Sequence, residues 1–180
     1  PWQAEWQPSL VAGALGYTPM TTSRAVKELA AAGLAAAHSV GRARWLRMTL
    51  HPAQVWERAQ PLMRTPVKRT LWVAYPVPTG HRAGRLAGLS ALARHSMLAE
   101  PQWQVYAVSA AEWKTAVAAG VRELPEYTSG AEQWQIWNYP PALVPDVETV
   151  DPLSLTLSLR DSTDERVQIA LDELKGQFPW

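Results

Sequence analysis

Thr18, Met20, Thr21, Thr22, Ser23, Arg24 and Lys27 gather four hydroxyls, a thioether and two cations into ten residues, and Arg42 and Arg44 follow closely. Hydroxyl groups donate to and accept from base edges, and guanidinium and ammonium groups meet phosphate oxygens or the acceptor edge of guanine. That mixture is the chemistry of contact with a polyanion rather than of bond making. The same residues on a solvated helix of an α/β body would need no ligand at all. What separates the two readings is the set of elements that must hold these side chains.

Thr18 suits an N-cap, and Pro19 suits the first helical position, where its missing N–H costs nothing. Gly33 fits the stop. At 100° per residue, Thr22, Ala25, Val26, Leu29 and Gly33 fall on one side of this helix. Met20, Arg24, Lys27 and Ala31 fall on the other, flanked by Thr21 and Ser23. Before it, Leu10, Val11, Ala14 and Leu15 give an apolar stripe for a short first helix, and Gly16-Tyr17 supplies a tight turn. After it, Leu34 to Val40 and Arg44 to Leu50 can pair as antiparallel strands. Trp45, Arg47 and Thr49 then share one face, with Leu46, Met48 and Leu50 on the other. Gly41 allows the hairpin turn, placing Arg42 and Arg44 at its tip, within reach of phosphate or a minor groove. His38 and His51 read as surface or packing residues. Helix, turn, capped helix and basic-tipped hairpin together predict a winged helix-turn-helix, whose second helix enters a major groove.

The run Leu15-Gly-Tyr-Thr-Pro-Met-Thr-Thr-Ser-Arg-Ala-Val-Lys-Glu-Leu-Ala-Ala-Ala-Gly-Leu34 resembles the recognition segment of bacterial MarR-like winged-helix regulators. Their pattern is a Ser/Thr-rich start, Ser-Arg, an apolar residue, Lys/Glu-Leu and a closing Gly-Leu before the wing. The match spans roughly the first third of the chain, and the motif is shared by many regulator families. Thr22 departs from it, standing where such helices bury a valine. The resemblance implies a transcriptional repressor acting as a homodimer on double-stranded DNA, although the chain shows no long dimerisation helix.

Charge supports the same orientation. Residues 1–68 carry eight Lys/Arg and three Asp/Glu, and residues 69–122 carry six and two, whereas residues 123–180 carry three and eleven. The basic front and acidic tail therefore cancel to the net +1 of the whole chain, as they would in a protein that docks one end on a polyanion. The 180 residues are 47% hydrophobic, enough for a substantial folded core. The absence of cysteine excludes disulfides, thiolate metal sites and cysteine nucleophiles. No apolar run approaches the roughly 20 residues of a membrane span, and no signal peptide is visible, so a soluble cytoplasmic protein without membrane contact is expected. The start at Pro1 rather than Met leads us to expect a further helix upstream.

Pro1 to Gln7 carries Trp2 and Trp6 and little else to read. His51 to Met63 predicts a connecting helix with Val55, Trp56, Ala59 and Leu62 on one stripe. Arg64 to Thr70 reads as a basic linker, so the expected division is a DNA-binding domain over 1–66 and a mixed α/β domain over 67–180, an α+β protein overall. The second domain should contain strands at Leu71–Tyr75, Gln102–Val108 and Gln133–Tyr139, and a Pro/Gly loop through Gly80. Gly84 to Leu98 predicts a helix with Leu86, Leu89, Leu92 and Ala93 inward and small Gly88, Ser90 and Ala91 for close packing. Ser109 and Glu112 form a capping box for a helix over Ala110–Ala119. Asp151 to Leu159 alternates like a strand, yet Asp followed by Pro and four leucines favours a helix. Thr163 to Lys175 predicts a last helix with Val167, Ala170, Leu171 and Leu174 inward. Trp103, Trp113, Trp134, Trp137 and Trp180 are expected to fill this domain's core or, in part, to line a partner surface.

Leu86 to Leu98 and Val150 to Leu159, with the closing helix, also resemble the C-terminal domain of abortive-infection AbiEi-type antitoxins. That resemblance implies autoregulation and a nucleotidyltransferase toxin as protein partner. No enzyme is expected. His38, His51, His81 and His95 lack metal-ligand spacing, and no phosphate-cradling loop or nucleophile elbow is present. Asp161, Asp164 and Glu165 fit a helix start at least as well as a divalent ion. No cofactor or metal is therefore expected.

Overall fold

The computed structural model describes residues 5–74, 84–143, 147–178 and 180. The fold class is α+β. The chain divides into two compact units, Pro1–Met63 with Pro179–Trp180, and Arg64–Phe178. Trp2, Tyr75 and the loop residues through Gly80-His81-Arg82 lie outside the described residues.

In the first unit, β1 (Glu5–Trp6) leads into α1 (Pro8–Leu15), α2 (Pro19–Ala31), β2 (Ala35–Val40), β3 (Ala43–Met48) and α3 (Pro52–Ala59), which ends in a single 3₁₀ turn at Gln60–Leu62. The three strands form an antiparallel sheet in the order β1-β3-β2, with Trp6 opposite Leu46 and Ala35 opposite Met48. Val26, Ala35 and Leu46 make its small core, with Leu29 and Met48 packed against them. Gly33 leaves α2 at φ 69° and Gly41 turns the hairpin at φ 61°, left-handed values that any side chain would strain.

The first helix departs from expectation. Its buried residue is Ala12, while Leu10 is 68% exposed and Leu15 is exposed as well. An eight-residue helix meets α2 along one narrow line of small residues, so most of its apolar side is left uncovered. Ala25, expected inward, is exposed for the same reason.

The second unit is a five-stranded mixed sheet in the order β5-β6-β8-β4-β7. Its elements are β4 (Val67–Val73), β5 (Arg85–Leu86), α4 (Gly88–His95), β6 (Val105–Ser109), α5 (Ala110–Ala118), β7 (Glu123–Leu124), β8 (Glu132–Trp137), α6 (Pro152–Leu159) and α7 (Glu165–Gly176). β6 and β8 run parallel, joined through α5, and the other pairings are antiparallel. Two cores form. One gathers Leu71, Val73, Val108, Ala116, Val121, Trp134 and Ile136. The other joins Leu86, Leu92, Val105 and Trp137 to Leu155, Val167, Ala170, Leu171 and Leu174 of the last two helices.

The basic linker expected before Leu71 is instead the start of β4, with a bulge between Val67 and Arg69. Lys68 and Arg69 stay exposed there, and Arg69 pairs with Glu123. Beyond β7, which pairs only with Trp72 and Val73, charge and a bulge are what discourage further strand addition at an open edge. The helix expected from Gly84 begins at Gly88, because Arg85–Leu86 pairs with Tyr106 and Ala107. Its register differs too: Leu92 is fully buried, but Leu89 is 40% exposed and Ser90 points inward to accept the Val105 N–H at 2.9 Å. β6 starts three residues later than Gln102, and β8 is covered on both faces rather than one. Its polar residues are therefore buried with it. Glu132 accepts the Trp134 indole N–H and Gln135 that of Trp137, each at 3.1 Å.

Ser109 and Glu112 cap α5 reciprocally, as their spacing predicts. Asp151 accepts the Ser154 N–H at 2.9 Å and decides the Leu/Ser alternation for a helix. Buried Thr156 donates to the Pro152 carbonyl at 2.9 Å and Ser158 to that of Leu155 at 2.8 Å, while the Ser154 hydroxyl lies 2.7 Å from that of Tyr139. Trp134 and Trp137 are buried, while Trp103 packs beside one core and Trp113 beside the other. Trp180 belongs to the first unit rather than to either core.

Leu92→Ala is expected to cost about 2–5 kcal/mol in denaturant titration and Leu89→Ala less than about 0.5 kcal/mol. His95 Nε2 lies 3.2 Å from Thr149 Oγ1, and burial holds its imidazole below the ordinary value of 6.5. The unfolded chain then takes up the proton first as pH falls. Stability is full above the unfolded value and declines as pH drops toward the folded one. Denaturation midpoints measured from about pH 7 to about pH 5 should therefore fall more steeply for the wild type than for His95→Gln.

Candidate nucleic-acid interface

Val26 and Leu29 press one side of α2 onto the sheet, and the helical repeat turns Met20, Arg24, Lys27 and Ala31 outward. All four are exposed. Arg24, Lys27, Arg42 and Arg44 make no ion pair among the described residues. Arg47, Arg69, Arg94, Arg160, Arg166 and Lys175, by contrast, each sit beside a carboxylate. Unpaired guanidinium and ammonium groups keep their donors for an incoming anion.

The hydroxyls divide by task. Thr18 caps α2, its Oγ1 accepting the Thr21 N–H at 3.2 Å and lying 3.0 Å from Thr21 Oγ1. Thr22 donates to the Thr18 carbonyl at 3.2 Å and turns inward. Of the expected reading groups, then, Thr18, Thr21 and Thr22 already hold local bonds. Half-buried Thr22 lies on the inward side, where its place in the helical repeat puts it. A threonine serves there in place of a larger apolar residue because its hydroxyl closes onto the preceding turn.

The two hairpin cations also separate. Arg42 is exposed in the turn between β2 and β3. Arg44, expected beside it at the tip, lies within β3 opposite Ser39 and alternates with Leu46 and Met48, on the helix-facing side. It borders a cavity of about 370 Å³ with Ser9, Tyr17, Ser23 and Val26. Two-residue alternation explains the difference: Arg47, of the opposite parity, is on the other face, bonded to Glu5 at 2.7 Å. Half-buried Ser23 and exposed Arg44 line this same cavity, away from the Met20 stripe. Ser9 and Tyr17 were not among the sequence candidates. Their one signal is position, just inside α1 and in the inter-helix turn.

A second depression, of about 430 Å³, is lined by Trp6, Val11, Leu15, Leu29, Met48 and their neighbours, with Thr22 as its one polar side chain. Of the acids expected as a helix start, Asp164 and Glu165 are the N-cap and first residue of α7, whereas Asp161 lies in the turn before it. Asp164 accepts the Arg166 N–H at 2.9 Å, and hydrogen bonds from Arg166 hold its carboxyl below the usual range. Asp161 lies 3.6 Å from Arg160. Among the described residues no three His, Asp or Glu side chains gather as a metal site would require, and no helix is long and apolar enough to cross a membrane.

No protein-family model, curated protein or solved structure matches the chain. The candidate interface therefore stands on its own geometry. Thr18→Ala removes the cap of α2 and is expected to cost about 1 kcal/mol, read as loss of protection of the Thr21 amide in hydrogen exchange.

Proposed function

We propose that the first unit binds double-stranded DNA as a winged helix-turn-helix and that the protein is a sequence-specific transcriptional regulator, a repressor in the simplest form. The observation that carries this reading is the outward stripe Met20, Arg24, Lys27 on a capped helix, exposed and without carboxylate partners among the described residues, next to Arg42 in an exposed hairpin turn. Arg24 would reach a guanine edge or phosphate, Lys27 a phosphate, and Arg42 the adjacent backbone or minor groove. Arg44, set back beside Ser23, would anchor the backbone alongside α2. Dimerisation on a two-fold site belongs to the same proposal, as do a cytoplasmic location and the absence of catalysis.

The antitoxin form of this proposal adds a nucleotidyltransferase toxin as partner of the second unit. Its support is the sequence resemblance alone. Within the two stretches that carry it, Leu86 to Leu98 and Val150 to Leu159, Ser90-Ala-Leu92 is buried and Asp151-Pro-Leu153 is half-buried, and leucine and small residues at such positions serve packing in any fold. A different reading, a protein-interaction adaptor, is favoured by the apolar depression along α1 and α2, which has the lining of a seat for an amphipathic helix.

Duplexes enriched from a random pool test the first reading. Arg24→Ala should weaken binding to them by about 1–3 kcal/mol, and Arg42→Ala should lower the slope of log affinity against log salt by about 1. Unchanged binding by the double variant would remove the assignment, and a flat salt dependence in the wild type would favour the adaptor.

A further inference from the structure

Met20 is the one large apolar side chain on the outward stripe of α2. It is 66% exposed, in the first turn, and the helical repeat brings Arg24 and Lys27 onto the same line four and seven residues later. It neither packs on the core of the first unit nor lines either depression beside α2. The neighbouring hydroxyls of Thr18 and Thr21 are bonded to each other, Thr18 also accepts the Thr21 N–H, and the Thr22 hydroxyl donates to the Thr18 carbonyl. The first turn therefore offers an incoming duplex a flexible thioether in place of free polar groups.

Resting on the DNA-binding reading, we propose that Met20 is a specificity-determining residue that reads the C5-methyl group of a thymine by apolar contact. In the major groove that methyl is the only apolar mark on a base edge, and it distinguishes T·A from the other pairs where no hydrogen bond is made. An unbranched thioether reaches and adapts to it. The cations one and two turns along the stripe hold the helix against the groove while Met20 makes this contact.

The test replaces thymine by deoxyuridine, one position at a time, in a duplex enriched from a random pool by the wild-type chain. The substitution deletes only the methyl. At one thymine per half-site, wild-type affinity should fall about three- to fivefold, the loss of roughly one apolar carbon's burial. Met20→Ala should bind the thymine and deoxyuridine duplexes equally at that position. Its exposed site leaves folding intact, and the wild-type comparison needs no variant in any case. Enriched duplexes that show no sensitivity to deoxyuridine, or a Met20→Ala protein that still discriminates, would overturn the Met20 assignment while leaving DNA binding in place. Failure of the wild-type chain to enrich any sequence would overturn the DNA reading, and the Met20 assignment with it.

Discussion

The contact of Val26 and Leu29 with Ala35, Leu46 and Met48 decides what the first unit can present to the outside. A helix has only one rotation about its axis that buries those two side chains against the sheet. With that rotation set, Met20, Arg24 and Lys27 must face out, and Thr22 must face in. The strand hairpin is subject to the same contact, since Leu46 can be buried only if Arg44 shares its face and Arg47 takes the opposite one. The division of cations between a free stripe and an ion pair with Glu5 thus follows from packing, not from the cations themselves.

The second unit obeys a different constraint. Its central strand β8 is covered on both faces, so every side chain from Glu132 to Trp137 needs apolar neighbours or a bonded partner. The sequence Glu-Gln-Trp-Gln-Ile-Trp meets that need within itself, each indole N–H donating to the residue two positions before it on the same face. In the leucine-rich helix α6 the Thr156 and Ser158 hydroxyls bond carbonyls one turn back, and that of Ser154 meets the Tyr139 hydroxyl. Polar residues placed in this manner let a buried element keep its solubility before folding without leaving unsatisfied groups afterwards.

The two units differ in how fully they are closed. Much of α1 faces away from the core, leaving Leu10 and Leu15 exposed and an apolar depression beside α2. The three-strand sheet and its three helices do not supply enough surface to cover every apolar side chain they carry. The second unit has helices packed on both sides of its sheet and two larger cores, although Met97 and Ile169 stay exposed.

Local chemistry was legible from the chain alone wherever one short range of residues decides it. Thr18-Pro19 and Ser109 with Glu112 announce helix starts, Gly33 and Gly41 announce turns, and the stripe Val167, Ala170, Leu171, Leu174 announces a buried face, because caps and helical periodicity act within a few residues. Asp151 could be read as a cap before the helix was seen. The start of β4 in a basic stretch, the exposure of Leu89 and Leu10, the burial of Glu132 and Gln135, and the removal of Arg44 from the hairpin tip were decided only by tertiary structure. Each depends on which surface another part of the chain brings up against it, and no window of neighbouring residues contains that information.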